Sequence, residues 1–283
     1  MIKKVEIPIK TKTYEMLSTV YSHTSNNHTG EALDLEMAFI LPKVLTGPKR
    51  PVILWLPGGG WMKSNPWKWM PSLMFFAEKG YIVAAAQYRL CMQGPFPSQI
   101  EDMKTAIRFL RYNAAHYGID PNRIGVMGCS AGGLLTSLAA MNENKYDTNE
   151  WAGFSSRVSA AADLYGPSDL FALEHAVTGT SAAKAILDAR HLLLGENHEQ
   201  AAEKMREASP LFHINANTCP ILIAHGTNDQ TIPLSQSEQF YEALKKAGVE
   251  AELYLLEGAS HSTPEFMQEE FKNIILGFFR KYL

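Results

Sequence analysis

The sequence predicts an α/β fold with a mostly parallel central sheet and helices on both of its faces, and three observations carry that expectation. Five stretches are nearly continuous in apolar residues: Val52–Leu56, Tyr81–Ala86, Ile124–Gly128, Val158–Ala162 and Ile221–Ala224. Short apolar runs without polar alternation suit strands buried on both faces, as in a parallel sheet. Between them lie helical patterns, the clearest being Ser98–Tyr117, where Ile100, Met103, Ile107 and Leu110 recur at three- and four-residue spacing. The 283 residues contain no internal repeat, low-complexity tract or dividing linker, so residues 1–283 are expected to form one large domain with a sizeable core.

The elements follow in order. Leu33–Phe39 alternates apolar and polar residues, as an antiparallel strand near a sheet edge with one wet face does. Val52–Leu56 is the first central strand and Tyr81–Ala86 the next. Pro97 and Gly118 bound the helix Ser98–Tyr117, and Asp120-Pro121-Asn122-Arg123 is expected to turn the chain back into Ile124–Gly128. An apolar helical run, Leu134–Ala140, follows, then the strand Val158–Ala162. The stretch of about 166–214 is rich in helix formers without a strand, and reads as a helical, cap-like insertion over the carboxyl edge of the sheet. Ile221–Ala224, the helix Gln236–Ala247, the strand Glu252–Leu256 and the helix Pro264–Tyr282 complete the alternation.

Composition narrows the partners. A net charge of −3 with both signs interspersed offers no basic face for nucleic acid and no polybasic membrane patch. The N-terminal Lys3-Lys4 is not followed by the apolar core of a secretory signal, and no apolar segment is long enough to span a bilayer. Cys91, Cys129 and Cys219 are odd in number and far apart, which suits reduced thiols in a cytoplasm. No H-E-x-x-H motif or cysteine cluster calls for a metal, and no cofactor is expected. Nothing fixes the oligomeric state, and a homodimer is compatible with the sequence.

The chemistry gathers at Ile124–Gly133, "IGVMGCSAGG", where an apolar strand ends on Ser130 with Gly128 two residues before it and Gly132 two after. This G-x-S-x-G pattern suits a tight strand-to-helix turn that projects a serine nucleophile, since side chains at 128 and 132 would collide with the flanking elements. The plainer reading is a helix N-cap serine. A nucleophilic serine needs a base and an acid to orient it, and both occur in the expected order. Asp229 follows the strand Ile221–Ala224, and His261 follows Glu252–Leu256. Asp163, also just past a strand, is the alternative acid, and a plain turn role is the alternative for Asp229. His225 is expected to end a strand and shape its loop. Upstream, Pro57-Gly58-Gly59-Gly60-Trp61 follows the first central strand, so the amides of Gly59 and Gly60, with that of Ala131, are the candidate oxyanion donors. Trp61 is the candidate substrate contact. Cys129 is expected to point away from Ser130 into packing.

These residues resemble the α/β-hydrolase superfamily, specifically hormone-sensitive-lipase-like and bifunctional feruloyl/acetyl-xylan esterases. The resemblance runs from about Val52 to the C-terminus through "YRL" at Tyr88–Leu90, "FPSQIEDMKTAIRFL" at Phe96–Leu110, "DPNRIGVMGCSAGG" at Asp120–Gly133, "YGPSDL" at Tyr165–Leu170, "ASP" at Ala208–Pro210, "HGTNDQTIP" at His225–Pro233 and "GASH" at Gly258–His261. Pro57 stands where the lipase-like motif usually has histidine, a variant closer to the polysaccharide-type esterases. The resemblance implies an α/β-hydrolase fold and a cofactor-free serine carboxylesterase acting on small-molecule or oligosaccharide esters, acetyl or hydroxycinnamoyl. An arylformamidase or peptidase-like acyl hydrolase on the same fold is the nearest alternative, and a non-catalytic ligand-binding protein the alternative of another class.

Overall fold

The computed structural model describes residues 13–43, 47–176, 188, 193–194 and 201–283. Eight strands form one sheet in the order β1-β2-β4-β3-β5-β6-β7-β8. They are β1 (Tyr14–Ser25), β2 (Ala32–Pro42), β3 (Arg50–Leu56), β4 (Ile82–Ala86), β5 (Ile119–Cys129), β6 (Ala160–Leu164), β7 (Ile221–Gly226) and β8 (Ala251–Leu256). From β4 to β8 all pairings are parallel, whereas β1 with β2 and β2 with β4 are antiparallel.

The apolar runs become the middle of this sheet because both faces are covered. Val52, Leu54 and Leu56 of β3 join one core with Ile100 and Ile107 of helix α2 (Ser98–Tyr112), Leu135 of helix α4 (Ala131–Ala140), and Phe240 of the helix Ser235–Lys246. Ile53 and Trp55 of the same strand join a second core with Phe76 of helix α1 (Met70–Glu78) and with Phe271, Ile275 and Phe279 of the helix Glu269–Tyr282. Leu54, Phe76 and Phe279 are fully buried, and each such side chain contributes about 1.5–3 kcal/mol relative to exposure.

Several local expectations change. The alternating strand at residues 33–39 is second from the edge, because β1 covers its outer side. The expected helix Ser98–Tyr117 is two pieces, α2 and the short α3 (Ala114–Tyr117), with Asn113 at the break turning its Nδ2 back to Phe109 O at 3.1 Å. Asp120–Arg123 belongs to β5 rather than to a turn before it, and the register against β3 shifts between Arg50 and Val52 to accommodate it. β6 lies at Ala160–Leu164, two residues later than the apolar run suggested. The C-terminal helix begins at Glu269, after a separate 3-10 turn at Pro264–Met267.

Between β6 and β7, the described residues hold the helices Leu170–Ala176 and Ala201–Glu207 and a 3-10 turn at Pro210–His213, and no strand. Residues 177–187, 189–192 and 195–200 of the expected insertion lie outside the described residues. Gln236 fastens the start of this region, its Oε1 accepting from the Ser168 and Asp169 amides at 2.9 and 2.8 Å. No described helix is long and apolar enough to cross a membrane.

Candidate active site

The site begins at the end of β5. Ser130 has φ 53° and ψ −121°, a left-handed conformation that a residue with a side chain adopts only when its surroundings enforce it. Enforcement comes from both sides: the Ser130 amide donates to Leu164 O of β6 at 2.9 Å, and Ser130 O accepts from Gly133 and Leu134 of α4 at 2.8 and 3.1 Å. The flanking glycines are steric requirements. A Cβ on Gly128 would lie 2.4 Å from Gly132 O, and one on Gly132 would lie 2.1 Å from Leu56 O. The turn therefore closes only without those side chains, and Ser130 stands at the N-terminus of α4, whose dipole favours negative charge there.

His261 and Asp229 converge on it from the loops after β8 and β7. The His261 Nε2 lies 2.9 Å from Ser130 Oγ, and its Nδ1 lies 2.7 Å from Asp229 Oδ2. With Asp229 ionised, Nδ1 carries the proton and donates it, which leaves Nε2 free to accept from the serine hydroxyl. The other Asp229 oxygen accepts from the Thr231 and Ile232 amides at 2.8 and 2.9 Å. Burial pushes the Asp229 carboxyl up, but hydrogen bonds from His225, His261 and the Ile232 amide outweigh it and hold the group well below the usual carboxylate range. The acid thus stays charged.

His225 supports Asp229 from beneath. Fully buried at the end of β7, it places Nε2 2.9 Å from Ile232 O and 3.4 Å from Asp229 Oδ2, while Nδ1 meets Ser237 Oγ at 2.7 Å. Ile232 O can only accept, so Nε2 bears the proton and Nδ1 takes the Ser237 hydroxyl hydrogen. Asp163 has different partners. Its Oδ2 accepts from Ser137 Oγ at 2.6 Å and its Oδ1 from the Gly166 amide at 2.9 Å. It does not bond His261, and burial pushes its carboxyl up to about 6.

The loop after β3 passes against the serine, since a Cβ on Gly58 would lie 3.1 Å from Ser130 Cβ. Gly59, Gly60 and Trp61 have successive positive φ of 139°, 60° and 56°. This coil folds the Met62 and Lys63 amides onto Gly59 O at 3.1 and 3.2 Å. Among the described residues, the amides of Gly59, Gly60 and Ala131 donate to no backbone acceptor. Trp61 is only 2% exposed and packs into the core that contains Leu56 and Tyr88. In the same segment Met62 and Trp67 are 37% and 40% exposed, so their apolar surface is open to solvent.

Sequence reasoning gave no role to Tyr165, whose ring packs edge-on against the His261 imidazole at 4.9 Å. Its signals in the sequence are its place just past β6, on the sheet edge that carries Ser130, and its position at the head of the YGPSDL stretch. No group of three potential metal ligands occurs among the described residues.

An eight-stranded, mostly parallel sheet in this order, with serine, histidine and aspartate in a hydrogen-bonded line at its carboxyl edge, defines an α/β-hydrolase-fold protein. The BD-FAE family profile matches residues 37–244, and the chain belongs to that family. It is 32% identical over 214 residues to the probable carboxylic ester hydrolase LipM of Mycobacterium tuberculosis, covering 74% of this chain and 48% of that protein. It is 32% identical over 271 residues to the probable isoprenylcysteine alpha-carbonyl methylesterase ICMEL1 of Arabidopsis thaliana, covering 90% of this chain and 52% of that one. The chain thus spans about half the length of these curated relatives. Among solved structures, a truncated carbohydrate esterase from gut microbiota superposes with a TM-score of 0.77 at 26% identity, over 97% of this chain and 98% of that one. Esterase 2 of Thermogutta terrifontis with propionate bound superposes with a TM-score of 0.75 at 26% identity, over 96% and 94%.

Proposed function

We propose that the protein is a serine carboxylesterase for short-acyl esters, with Ser130 as nucleophile, His261 as general base and Asp229 as the acid that orients it. The observation that carries this reading is the continuous line from Asp229 Oδ2 to His261 at 2.7 Å and from His261 to Ser130 Oγ at 2.9 Å. In the first step Oγ attacks the ester carbonyl carbon while His261 Nε2 takes the hydroxyl proton. The carbonyl oxygen becomes an oxyanion held by the amides of Gly59, Gly60 and Ala131, where each such donor is worth about 100- to 1000-fold in rate. His261 then protonates the departing alkoxide. Water enters, gives its proton to His261 and attacks the acyl-enzyme, and collapse of the second tetrahedral intermediate returns Ser130 Oγ with its proton.

The crowded segment after the oxyanion loop, from Trp61 to Met70, supports a narrow acyl pocket. The Thermogutta terrifontis esterase was solved with propionate and with butyrate bound, which favours the same size range. Acetyl esters of plant carbohydrates are the proposed natural class, in keeping with the carbohydrate esterase among the structural neighbours; turnover of methyl ferulate, whose hydroxycinnamoyl group is far bulkier than butyryl, would require a wider acyl pocket than this. The intact hydrogen-bonded line argues against a non-catalytic binding protein.

The test is kcat/KM for p-nitrophenyl acetate, butyrate, octanoate and palmitate, with methyl ferulate, acetylated xylo-oligosaccharides and N-formylkynurenine alongside. We expect a maximum between acetyl and butyryl and a steep fall beyond, because each added methylene lacks space. A preference for octanoate or palmitate overturns the short-acyl assignment, and turnover confined to N-formylkynurenine transfers the protein to the arylformamidases.

A further inference from the structure

Two consecutive residues in the first turn of the helix Ser235–Lys246 bond to different parts of the proposed machinery. Ser237 Oγ lies 2.7 Å from His225 Nδ1, and His225 Nε2 lies 2.9 Å from Ile232 O and 3.4 Å from Asp229 Oδ2. Gln236 bonds instead to the segment that leaves β6. Its Oε1 accepts from the Ser168 and Asp169 amides at 2.9 and 2.8 Å, and its backbone oxygen accepts from the Ser168 hydroxyl at 2.6 Å. Gln236, Ser237, Ser168 and His225 are all buried, so water cannot readily replace a partner that is lost.

The segment that Gln236 anchors reaches across the site. It begins just after Tyr165, whose ring lies 4.9 Å from the His261 ring. Its far end returns to the same anchor, since the Leu211 amide donates to Ser168 O at 3.1 Å and Ser209 Oγ accepts from the Leu170 amide at 2.9 Å. Leu193 O, between the two ends, accepts from the Phe96 amide in the loop after β4 at 2.7 Å. Along the strand order β4-β3-β5-β6 the insertion thus has fixed points on both sides of β3 and β5, the strands that carry the oxyanion loop and Ser130. His261 must reach the leaving oxygen to protonate it, so the alcohol half of an ester lies on the His261 side, where the insertion begins.

We infer that Gln236 and Ser237 are positioning residues with divided tasks: Ser237 holds His225 in the tautomer that supports Asp229, and Gln236 seats the insertion against the alcohol half of the ester. The inference rests on Ser130, His261 and Asp229 acting as proposed, and it assigns neither residue a contact with substrate. Ile232 O takes the Nε2 proton, so His225 Nδ1 needs a donor, which the Ser237 hydroxyl supplies. Without that hydroxyl a buried acceptor is left unpaired, the ring is free to turn, and its hold on Asp229 weakens. Gln236 gathers two consecutive amides on one oxygen, which fixes where the insertion departs from β6. Without that acceptor the segment shifts and the space beside His261 widens.

The experiment measures kcat and KM for phenyl acetate and 1-naphthyl acetate, which share an acyl group and differ in the alcohol, with thermal midpoints alongside. Ser237→Ala should lower kcat about fivefold for both esters and leave the ratio of their kcat/KM values within about twofold of the parent. In a His225→Gln background the same change should cost nothing further, because both act through one contact with Asp229. Gln236→Leu should raise the ratio of 1-naphthyl to phenyl acetate at least about threefold, since the larger alcohol gains room. Gln236→Glu keeps the acceptor, at a helix N-terminus that favours negative charge, and should hold the parent ratio. Ser168→Ala removes only the hydroxyl bond from the insertion side and should raise the ratio in the same direction, which keeps the test open if Gln236→Leu does not fold. Parent-like kcat in Ser237→Ala, losses that multiply with His225→Gln, or a parent-like ratio in the folded Gln236→Leu and Ser168→Ala variants overturns the division. Failure of the underlying reading looks different: undiminished hydrolysis in Ser130→Ala sinks that reading whatever these variants do.

Discussion

The carboxyl ends of β6 and β7 each carry a buried aspartate, and the two have been put to opposite uses. Asp163 of β6 faces one hydroxyl and one amide, and burial drives its carboxyl up to about 6. Asp229, just past β7, is buried as well, but two imidazoles and two backbone amides surround it and hold it ionised. The difference teaches that position after a strand does not by itself keep an acid ionised. The number and kind of donors arranged around it do.

The sharpest way to break this comparison is to neutralise each carboxylate. Asp229→Asn should lower kcat about 1000- to 10,000-fold, because an amide in its place disfavours the His261 tautomer that frees Nε2. Asp163→Asn should leave kcat within about threefold. Steady-state rates with thermal midpoints decide it, and the reverse pattern would move the acid role to Asp163. A smaller effect is expected one residue further out. His225→Gln keeps a donor but displaces it from Asp229, and kcat should fall about 10-fold with KM little changed.

Stability against pH separates the two carboxyls by sign. Folded Asp163 binds its proton more tightly than the unfolded chain, whose carboxyl titrates near about 4, so its contribution to stability is lost as pH rises from there to about 6. Asp229 behaves oppositely: its contribution is fully present above the unfolded value and disappears as pH falls below it. Urea unfolding at a series of pH values should show a decline on the order of 1–3 kcal/mol across the Asp163 window. That decline should shrink in Asp163→Asn, leaving the part due to Asp102, which burial also raises to about 6, and persist in Asp229→Asn, while the acid-side loss should shrink in Asp229→Asn.

The parallel middle of the sheet was legible because burial on both faces writes itself as unbroken apolar sequence, as in Val52–Leu56 and Ile221–Ala224. β1 was not, since Tyr14–Ser25 mixes Thr, Ser and His on a half-exposed edge where little burial constrains residue type. The line of Ser130, Asp229 and His261 could be anticipated because each residue follows a strand whose direction places its loop on one edge. Their distances could not be read that way. The support given by His225, and the packing of Tyr165 against His261 and Phe266, depend on side chains from separate loops meeting in space, and local sequence does not encode that. The burial of Trp61 against the core that contains Leu56 and Tyr88 was likewise not legible from its place after the glycines.

The central claim is that Ser130 is the nucleophile, and the most direct measurement is covalent labelling with a fluorophosphonate followed by mass spectrometry of the peptides. A single adduct on Ser130 is expected, with complete loss of p-nitrophenyl acetate hydrolysis in step with labelling, and neither labelling nor hydrolysis in a folded Ser130→Ala variant. An adduct on any other residue, or hydrolysis that survives in Ser130→Ala, would contradict the account.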